Sequence, residues 1–345
     1  MDLKLFKFLE EDNANAYYFK DSTSPENASV VYISVPWSLT SAKGEGSSYA
    51  PDAIIEASGK ISSFDAFNQI SMEGKVSTLD IDYEIQEKSI ILGEDVWRIF
   101  DYLRDGGLLK ADFFGRKVKK VNEGILEMRQ KVYQTSKAWA EKGKIIGIIG
   151  GDHSVSYGAV KALAEQHDQI GVLFLDAQPD MIQDNYDIKY SHRTIARDII
   201  NDIPQVSKMV QAGIRDITEE EYSIIQINPK VELFLMEQME QMLSSGETWN
   251  NVCEKIINRL PEKIYVSVDI DVLNIECCSH TISPLPGGMP FGRLCTLLNM
   301  LQHEGKQIVG FDITEVVPII KSKVDSLSAA KLLAKLTTSA LKQKK

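Results

Sequence analysis

A doubly wound α/β sheet of parallel strands is the fold class that this sequence predicts, on three observations. Short runs rich in Val, Ile and Leu recur along the chain, and amphipathic segments of helical period separate them. No Pro/Gly-rich linker and no internal repeat divides the 345 residues. Strands covered on both faces read as near-continuous apolar runs rather than alternating ones. By that criterion "ASVVYISVP" (28–36) is the first strand and "KIIGIIGG" (144–151) the next. "QIGVLFLDA" (169–177), "KMVQAGI" (208–214), "EKIYVSVDID" (262–271) and "KQIVGFDI" (306–313) continue the series. Between the first two, "GILEMRQKVYQTSKAWAEKG" places Ile125, Met128, Val132 and Trp139 near one helical face, with Gly143 as its C-cap. "GAVKALAEQHD" (158–168) follows a Gly-rich turn in the same way. The chain therefore reads as a single α/β domain over 1–345. Residues 85–120 are less regular and read as an insertion over one end of the sheet, and 325–345 as a C-terminal helix and tail.

Composition narrows the function. A quarter of the residues are charged and 43% are apolar, the ordinary globular range. The net charge of −11 argues against nucleic acid and suits a small cationic substrate. No apolar run approaches the ~20 residues of a membrane span, and "MDLKLFKFLEEDN" lacks a signal-peptide pattern. The four cysteines include the adjacent pair Cys277 and Cys278, unlike a secreted disulfide framework. A cytoplasmic protein without membrane or nucleic-acid partners is the expectation. The terminal "KQKK" reads as a solvated tail.

In open α/β sheets, ligands gather outside the carboxyl ends of the strands. Four of the strands above deliver acid or imidazole to that rim. They are "GGDHSVSYG" with His153, "DAQPD" with Asp176, Gln178 and Asp180, "DID" with Asp269 and Asp271, and "DITEVVP" with Asp312 and Glu315. Residues two apart on a strand share a face, which would point 176, 178 and 180 the same way, and likewise 269 and 271. Each motif alone has an ordinary reading, as a tight turn, a helix cap or a solvated loop. His167 and His303 read as helix-end residues without a role. Together, so many carboxylates at one rim would repel one another without cations, and oxygen-rich ligands point to ions such as manganese.

In this order and spacing, "GGDHSVSYG", "DAQPDM", "YSHRT", "SVDIDVLN" and "GFDITEVVP" resemble the signatures of the ureohydrolase family of arginases, agmatinases and their relatives. "GEGSSYAPDAIIEAS" (44–58) is similar to the family's N-terminal segment, and "CCSHTISPLPGGM" resembles the agmatinase form of the loop after the second aspartate pair. The resemblance implies a three-layer α/β/α sandwich around a central, mostly parallel sheet. It also implies a trimer or hexamer, and a binuclear manganese hydrolase that splits a guanidino compound into urea and an amine. Carried over by position, His153, Asp176, Asp180 and Asp269 would hold one Mn2+. Asp176, Asp269, Asp271 and residue 178 would hold a second. Asp180 would pass a proton to the leaving amine, Glu315 would grip the guanidinium, and His192 would shuttle protons or bind the substrate's tail, with Arg193 beside it.

The sequence departs from the family at several of these positions. Gln178 stands where the family has a histidine, so the second metal is expected to bind more weakly. Asn274 and Ile275 replace an Asp-Pro, while Ile282 and Arg193 each replace a glycine. Three readings follow: an agmatinase-like hydrolase, an amidino hydrolase of formimidoylglutamate or a guanidino acid, and a metal-deficient, catalytically silent homologue. The retention of His153, the four aspartates, His192 and Glu315 favours an enzyme.

Overall fold

A computed structural model of the chain describes residues 19, 23–40, 46–107, 112–183 and 187–342. Residues 44–45 of the N-terminal motif, 108–111 of the 85–120 stretch, the "MDLKLFKFLEEDN" segment and the last three residues of "KQKK" lie outside them. Every long apolar run read above is a strand: β1 (Val30–Val35), β5 (Ile145–Gly150), β6 (Ile170–Leu175), β7 (Val206–Ile214), β9 (Lys263–Val268) and β10 (Gln307–Ile313). Periodicity did not reveal β4 (Val76–Thr78) or β8 (Val231–Leu235), nor the two-residue strands β2 (Phe64–Asp65) and β3 (Ile70–Ser71) of a small hairpin. The main sheet runs β4-β1-β5-β10-β9-β6-β7-β8, and each of its neighbouring pairs is parallel. The missed pair β4 and β8 are its two edges.

Alternate residues of each strand feed two separate cores. On β6, Leu173 and Leu175 join one core, while Val172 and Phe174 join the other. The first core is closed by α1 (Ala50–Ser58), α7 (Met236–Ser244), α8 (Trp249–Ile257), α9 (Phe291–His303) and α10 (Val324–Leu341). The second is closed by α2 (Tyr83–Arg104), α3 (Asp112–Ala140), α4 (Ser156–Ala164), α5 (Ile195–Asp202) and α6 (Glu219–Ile227). Helices on both faces of a parallel sheet make the three-layer α/β/α sandwich. Ile125, Met128 and Val132 are buried in the second core and Trp139, partly buried, packs against that core, as the helical period predicts, and Gly143 takes a φ of 75° just beyond the helix. The stretch 85–120 is more regular than its sequence suggests. It falls on α2 and the start of α3, whose apolar residues Ile85, Leu92, Val96, Ile99 and Val118 pack into the second core.

The strands that carry the candidate site, β5, β10, β9 and β6, are consecutive in the sheet. Their carboxyl ends therefore form one continuous rim. Close approach of backbone fixes the first of these ends. Gly151 donates its N–H to the Val35 carbonyl at 3.0 Å, and Asp152 donates to the Trp37 carbonyl at 2.7 Å. A Cβ at Gly151 would lie 1.8 Å from the Trp37 oxygen. Overpacking commonly costs 1–3 kcal/mol, so a clash with backbone, which cannot rotate away, should cost at least about 2 kcal/mol. Gly151→Ala is expected to lower the urea midpoint accordingly and to displace the His153 turn; an unchanged midpoint would show that the two loops separate freely.

Candidate metal centre

After β5, the turn Asp152–His153–Ser154 is organised by the Asp152 carboxylate, the capping aspartate of the tight-turn reading. Asp152 Oδ2 accepts from the N–H groups of Leu39 at 3.0 Å and Thr40 at 3.2 Å, and from the Thr40 hydroxyl. Its Oδ1 accepts from the Ser154 N–H at 3.1 Å and from the Ser154 hydroxyl. His153 is thereby thrust into the protein, fully buried, its ring stacked on Phe174 with centroids 4.7 Å apart. Nε2 of that ring lies 2.9 Å from Ser267 Oγ, on β9, and Ser267 Oγ donates to Asp312 on β10 at 2.8 Å. A hydroxyl has one hydrogen, so with it given to Asp312 the serine oxygen can only accept from Nε2–H. The relay fixes Nε2 as a donor and leaves Nδ1 facing the opposite way. Asp312 was placed by the sequence pattern at the rim; it lies within β10, behind the ring.

In front of Nδ1 stand three carboxylates. Asp176 Oδ2 is 3.2 Å away, Asp180 Oδ2 3.5 Å and Asp269 Oδ2 3.8 Å. Two of these acids are oriented by the N–H two residues on. Asp176 Oδ1 accepts from Gln178 N–H at 2.7 Å, and Asp269 Oδ1 from Asp271 N–H at 2.8 Å. Asp271 Oδ1 accepts from Ala177 N–H at 3.0 Å, which ties the β9 end to the β6 end. His153 Nδ1 and Asp176 Oδ2 are buried and have no hydrogen-bond partner among the described residues. One donor atom from each of His153, Asp176 and Asp269 falls within 4.8 Å of the others. Unpartnered buried polar atoms converging at that spacing fit a cation, which would displace the proton from the ring, because a buried polar atom is otherwise paired.

Electrostatics agrees with the geometry. Burial, and then the neighbouring carboxylates, holds the acids of Asp176 and Asp269 well above their ordinary range. Burial pushes Asp180 up to about 6 despite the His153 ring beside it. Glu315 is likewise held well above its ordinary value by burial and by Asp152. Burial alone would depress the His153 ring, but Asp176 and Asp180 outweigh it and raise it well above its usual value. Arg215 donates to the Asp271, Leu285 and Pro286 carbonyls at 2.6, 2.9 and 2.9 Å, placing a fixed cation behind the cluster.

The remaining candidates lie around this core. Glu315, at the β10 end, adopts a left-handed φ of 67°. Its Oε1 accepts from His153 N–H at 2.7 Å, while its buried Oε2 has no partner among the described residues. Asp180 is also left-handed, at 51°. Such conformations in non-glycine residues cost of order 1–3 kcal/mol and cluster at functional sites. His192 lies on a single 3-10 turn (His192–Thr194), partly open, with Nδ1 2.7 Å from Thr40 Oγ1; burial lowers its pKa to about 4. Arg193, next to it, is exposed.

Gln178 is where strand logic ran out. β6 ends at Leu175, so the alternation invoked for 176, 178 and 180 has no strand beneath it, and β9 similarly ends at Val268 before Asp269. Asp176 and Asp180 meet at His153 because of side-chain and turn geometry. Gln178 is half-buried, with its N–H on Asp176. Sequence reading also missed Ser267, Thr40 and Arg215, since single hydroxyls and one arginine carry no spacing signal.

Among known proteins, the sequence profile of the arginase family matches residues 28–339. The chain is 34% identical to proclavaminate amidinohydrolase of Streptomyces clavuligerus over 174 residues, half of this chain and 54% of that one. It is 26% identical to the N(1)-aminopropylagmatine ureohydrolase of Thermococcus kodakarensis over 310 residues, 90% of each chain. Among the first relatives matched, the alignments span between 54% and 63% of the relative's own length. The fold is shared with the agmatine ureohydrolase of Thermoplasma volcanium, with a TM-score of 0.71 at 22% identity over 95% of each chain.

The raised acids set a pH dependence for the metal-free protein. Asp180 titrates at about 6 when folded against an ordinary 3.8, so between those values the folded protein holds a proton that the unfolded chain has released. Stability should therefore fall as pH rises from about 4 to 6. The upward shifts at Asp176, Asp269 and Glu315 begin in the same window and add to this fall, and His153 extends it above 6.5; His192, depressed from 6.5 to about 4, opposes it as one imidazole against four acids. Thermal melts of stripped protein across this range are expected to show the fall, and a saturating divalent cation to abolish it. Melts that are flat, or that rise with pH, would mean the acids do not face one another.

Proposed function

The chain belongs to the arginase family, and from that premise we propose that it is a metal-dependent hydrolase of a small guanidino compound, agmatinase-like, releasing urea and an amine. The observation that carries the reading is the pairing of two orphaned groups. His153 Nδ1 with Asp176 Oδ2 suits a cation, and Glu315 Oε2, tethered to the same turn, suits a guanidinium. His153, Asp176, Asp180 and Asp269 are the proposed ligands of one Mn2+, and Asp176, Asp269, Asp271 and Gln178 those of a second, weaker one. Bound there, the ions would supply Lewis acidity and lower the pKa of water to the neutral range.

The chain's own groups account for the rest. Glu315 is already held by the His153 N–H through Oε1, so Oε2 can accept from a guanidinium without reorienting, a charge-assisted contact of the strong kind. Asp180, 3.5 Å from His153 Nδ1 at the same rim, is the proposed carrier of a proton to the departing amine. His192 is neutral at pH 7, so it can accept a proton or a hydrogen bond from the substrate's tail. The net charge of −11 favours a cationic amine tail such as that of agmatine. Exposed Arg193 supports a second reading, in which the tail is a carboxylate, as in formimidoylglutamate or a guanidino acid. The enzyme is proposed to work in the cytoplasm as a homo-oligomer, without nucleic-acid or membrane partners; no described helix is long and apolar enough to cross a membrane.

Urea release from a panel of guanidines by the manganese-loaded protein tests the activity and selects between the tails. No release from any of them, with metal bound, would leave a silent homologue. Manganese titrated into stripped protein is expected to bind with two unequal affinities, the tighter site being the one that keeps its imidazole. Two equal, tight sites would refute that order. Glu315→Gln should reduce turnover by at least about 100-fold, the loss of a charge-assisted contact worth roughly 3 kcal/mol, with metal content unchanged. Lost metal in that variant would make Glu315 a ligand instead. Gln178→His should tighten the second manganese and raise turnover by about 10-fold or more, the scale of changes around metal ligands. An unaltered second affinity would place residue 178 away from the metals.

A further inference from the structure

We propose that Arg129 is a positioning residue, whose buried ion pair with Asp198 holds the turn that carries His192. Arg129 lies on α3, far from the metal cluster in sequence, and its side chain is 4% exposed. Its Nη2 donates to Asp198 Oδ2, on α5, at 2.8 Å and to the Tyr190 carbonyl at 3.3 Å. The guanidinium lies over the rings of Tyr157 and Tyr190, 4.3 and 4.8 Å from their centroids. Asp198 in turn accepts from the Thr194 hydroxyl at 3.2 Å. Residues 190 and 194 bracket His192, and both are tied to the same ion pair.

Two further observations make this more than a packed salt bridge. Tyr190 is held at a φ of 66°, a left-handed conformation that a tyrosine keeps only when its surroundings demand it. The turn so formed delivers His192 to Thr40, whose hydroxyl also contacts Asp152, the organiser of the His153 turn. Arg129 thus sets one wall of the site against the other through a continuous series of contacts. Desolvating an ion pair costs about as much as the pair returns, so an apolar replacement of equal volume could match it in stability. What an apolar residue could not do is pin the Tyr190 carbonyl and both flanks of the turn at once. Lysine lacks the flat, forked cation that lies over the two rings.

For turnover, the proposal rests on the reading of His192 given above, so its test includes a readout that needs no activity. The manganese-loaded, full-length protein is treated with diethyl pyrocarbonate, which acylates neutral imidazole. The rate at each histidine is then followed by peptide mass spectrometry. In Arg129→Met and in Asp198→Asn, His192 should react severalfold faster than in the parent, with exposed His303 and buried His153 unchanged and metal content intact. Arg129→Lys should fall between. Asp198→Asn keeps the shape of the side chain and decides the matter if Arg129→Met does not fold. If the hydrolase reading holds, kcat/KM falls in step with the rise in labelling. A parent that releases no urea would remove that reading while leaving the labelling result standing. An unchanged His192 rate in a folded variant, or a rise at His153 as large as that at His192, would overturn the proposal.

Discussion

Mutual repulsion among buried carboxylates is the constraint around which this protein is arranged. Asp176, Asp180, Asp269, Asp271 and Glu315 are all nearly or fully buried near one imidazole; burial pushes all five towards protonation, and for Asp176, Asp269 and Glu315 neighbouring carboxylates add to it. Such a cluster is a poor way to stabilise a fold and a good way to hold a cation. The surrounding structure compensates in part. One oxygen of each of Asp176, Asp269 and Asp271 is satisfied by a backbone N–H, and Arg215 places a fixed positive charge behind them. Among the described residues, His153 Nδ1, Asp176 Oδ2 and Glu315 Oε2 are left buried without a hydrogen-bond partner.

The sheet makes that convergence possible. β5, β10, β9 and β6 lie side by side and run the same way, so residues far apart in sequence arrive at one rim. Each end then leaves regular structure at once, into single 3-10 turns at His153 and Ile270 or left-handed residues at Asp180 and Glu315. Those irregular turns aim the side chains. The strands beneath are rigid, buried and rich in β-branched residues, and they provide the precision that loops alone would lack.

Membership of the arginase family and departure from its pattern meet at the same loops. The half of the proposed site built around His153 brings that ring, Asp176 and Asp269 together, with Asp312 and Ser267 fixing the ring. The proposed half around Gln178 and Asp271 would offer an amide in place of an imidazole, and one Asp271 oxygen is already engaged by Ala177. The proposed asymmetry between the halves rests on that one exchange of an imidazole for a neutral amide.

The architecture was legible in the sequence because burial on both faces leaves an unmistakable mark. Six continuous apolar runs became six parallel strands, and their order along the chain already put His153, Asp176, Asp269 and Glu315 at strand ends. The edge strands β4 and β8 were not legible, since Val76–Thr78 is too short and Val231–Leu235 too mixed to stand out. Nor did a period of two suffice beyond Leu175, where the strand stops and turn geometry takes over. Helical period was equally silent about 85–120, whose apolar residues face a core that exists only once α2 and α3 pack. Which nitrogen of His153 faces the acids depends on Ser267 and Asp312, brought from 114 residues or more away. That choice belongs to tertiary structure, because the role of each ring nitrogen is set by whichever partner the fold delivers to the far side of the ring.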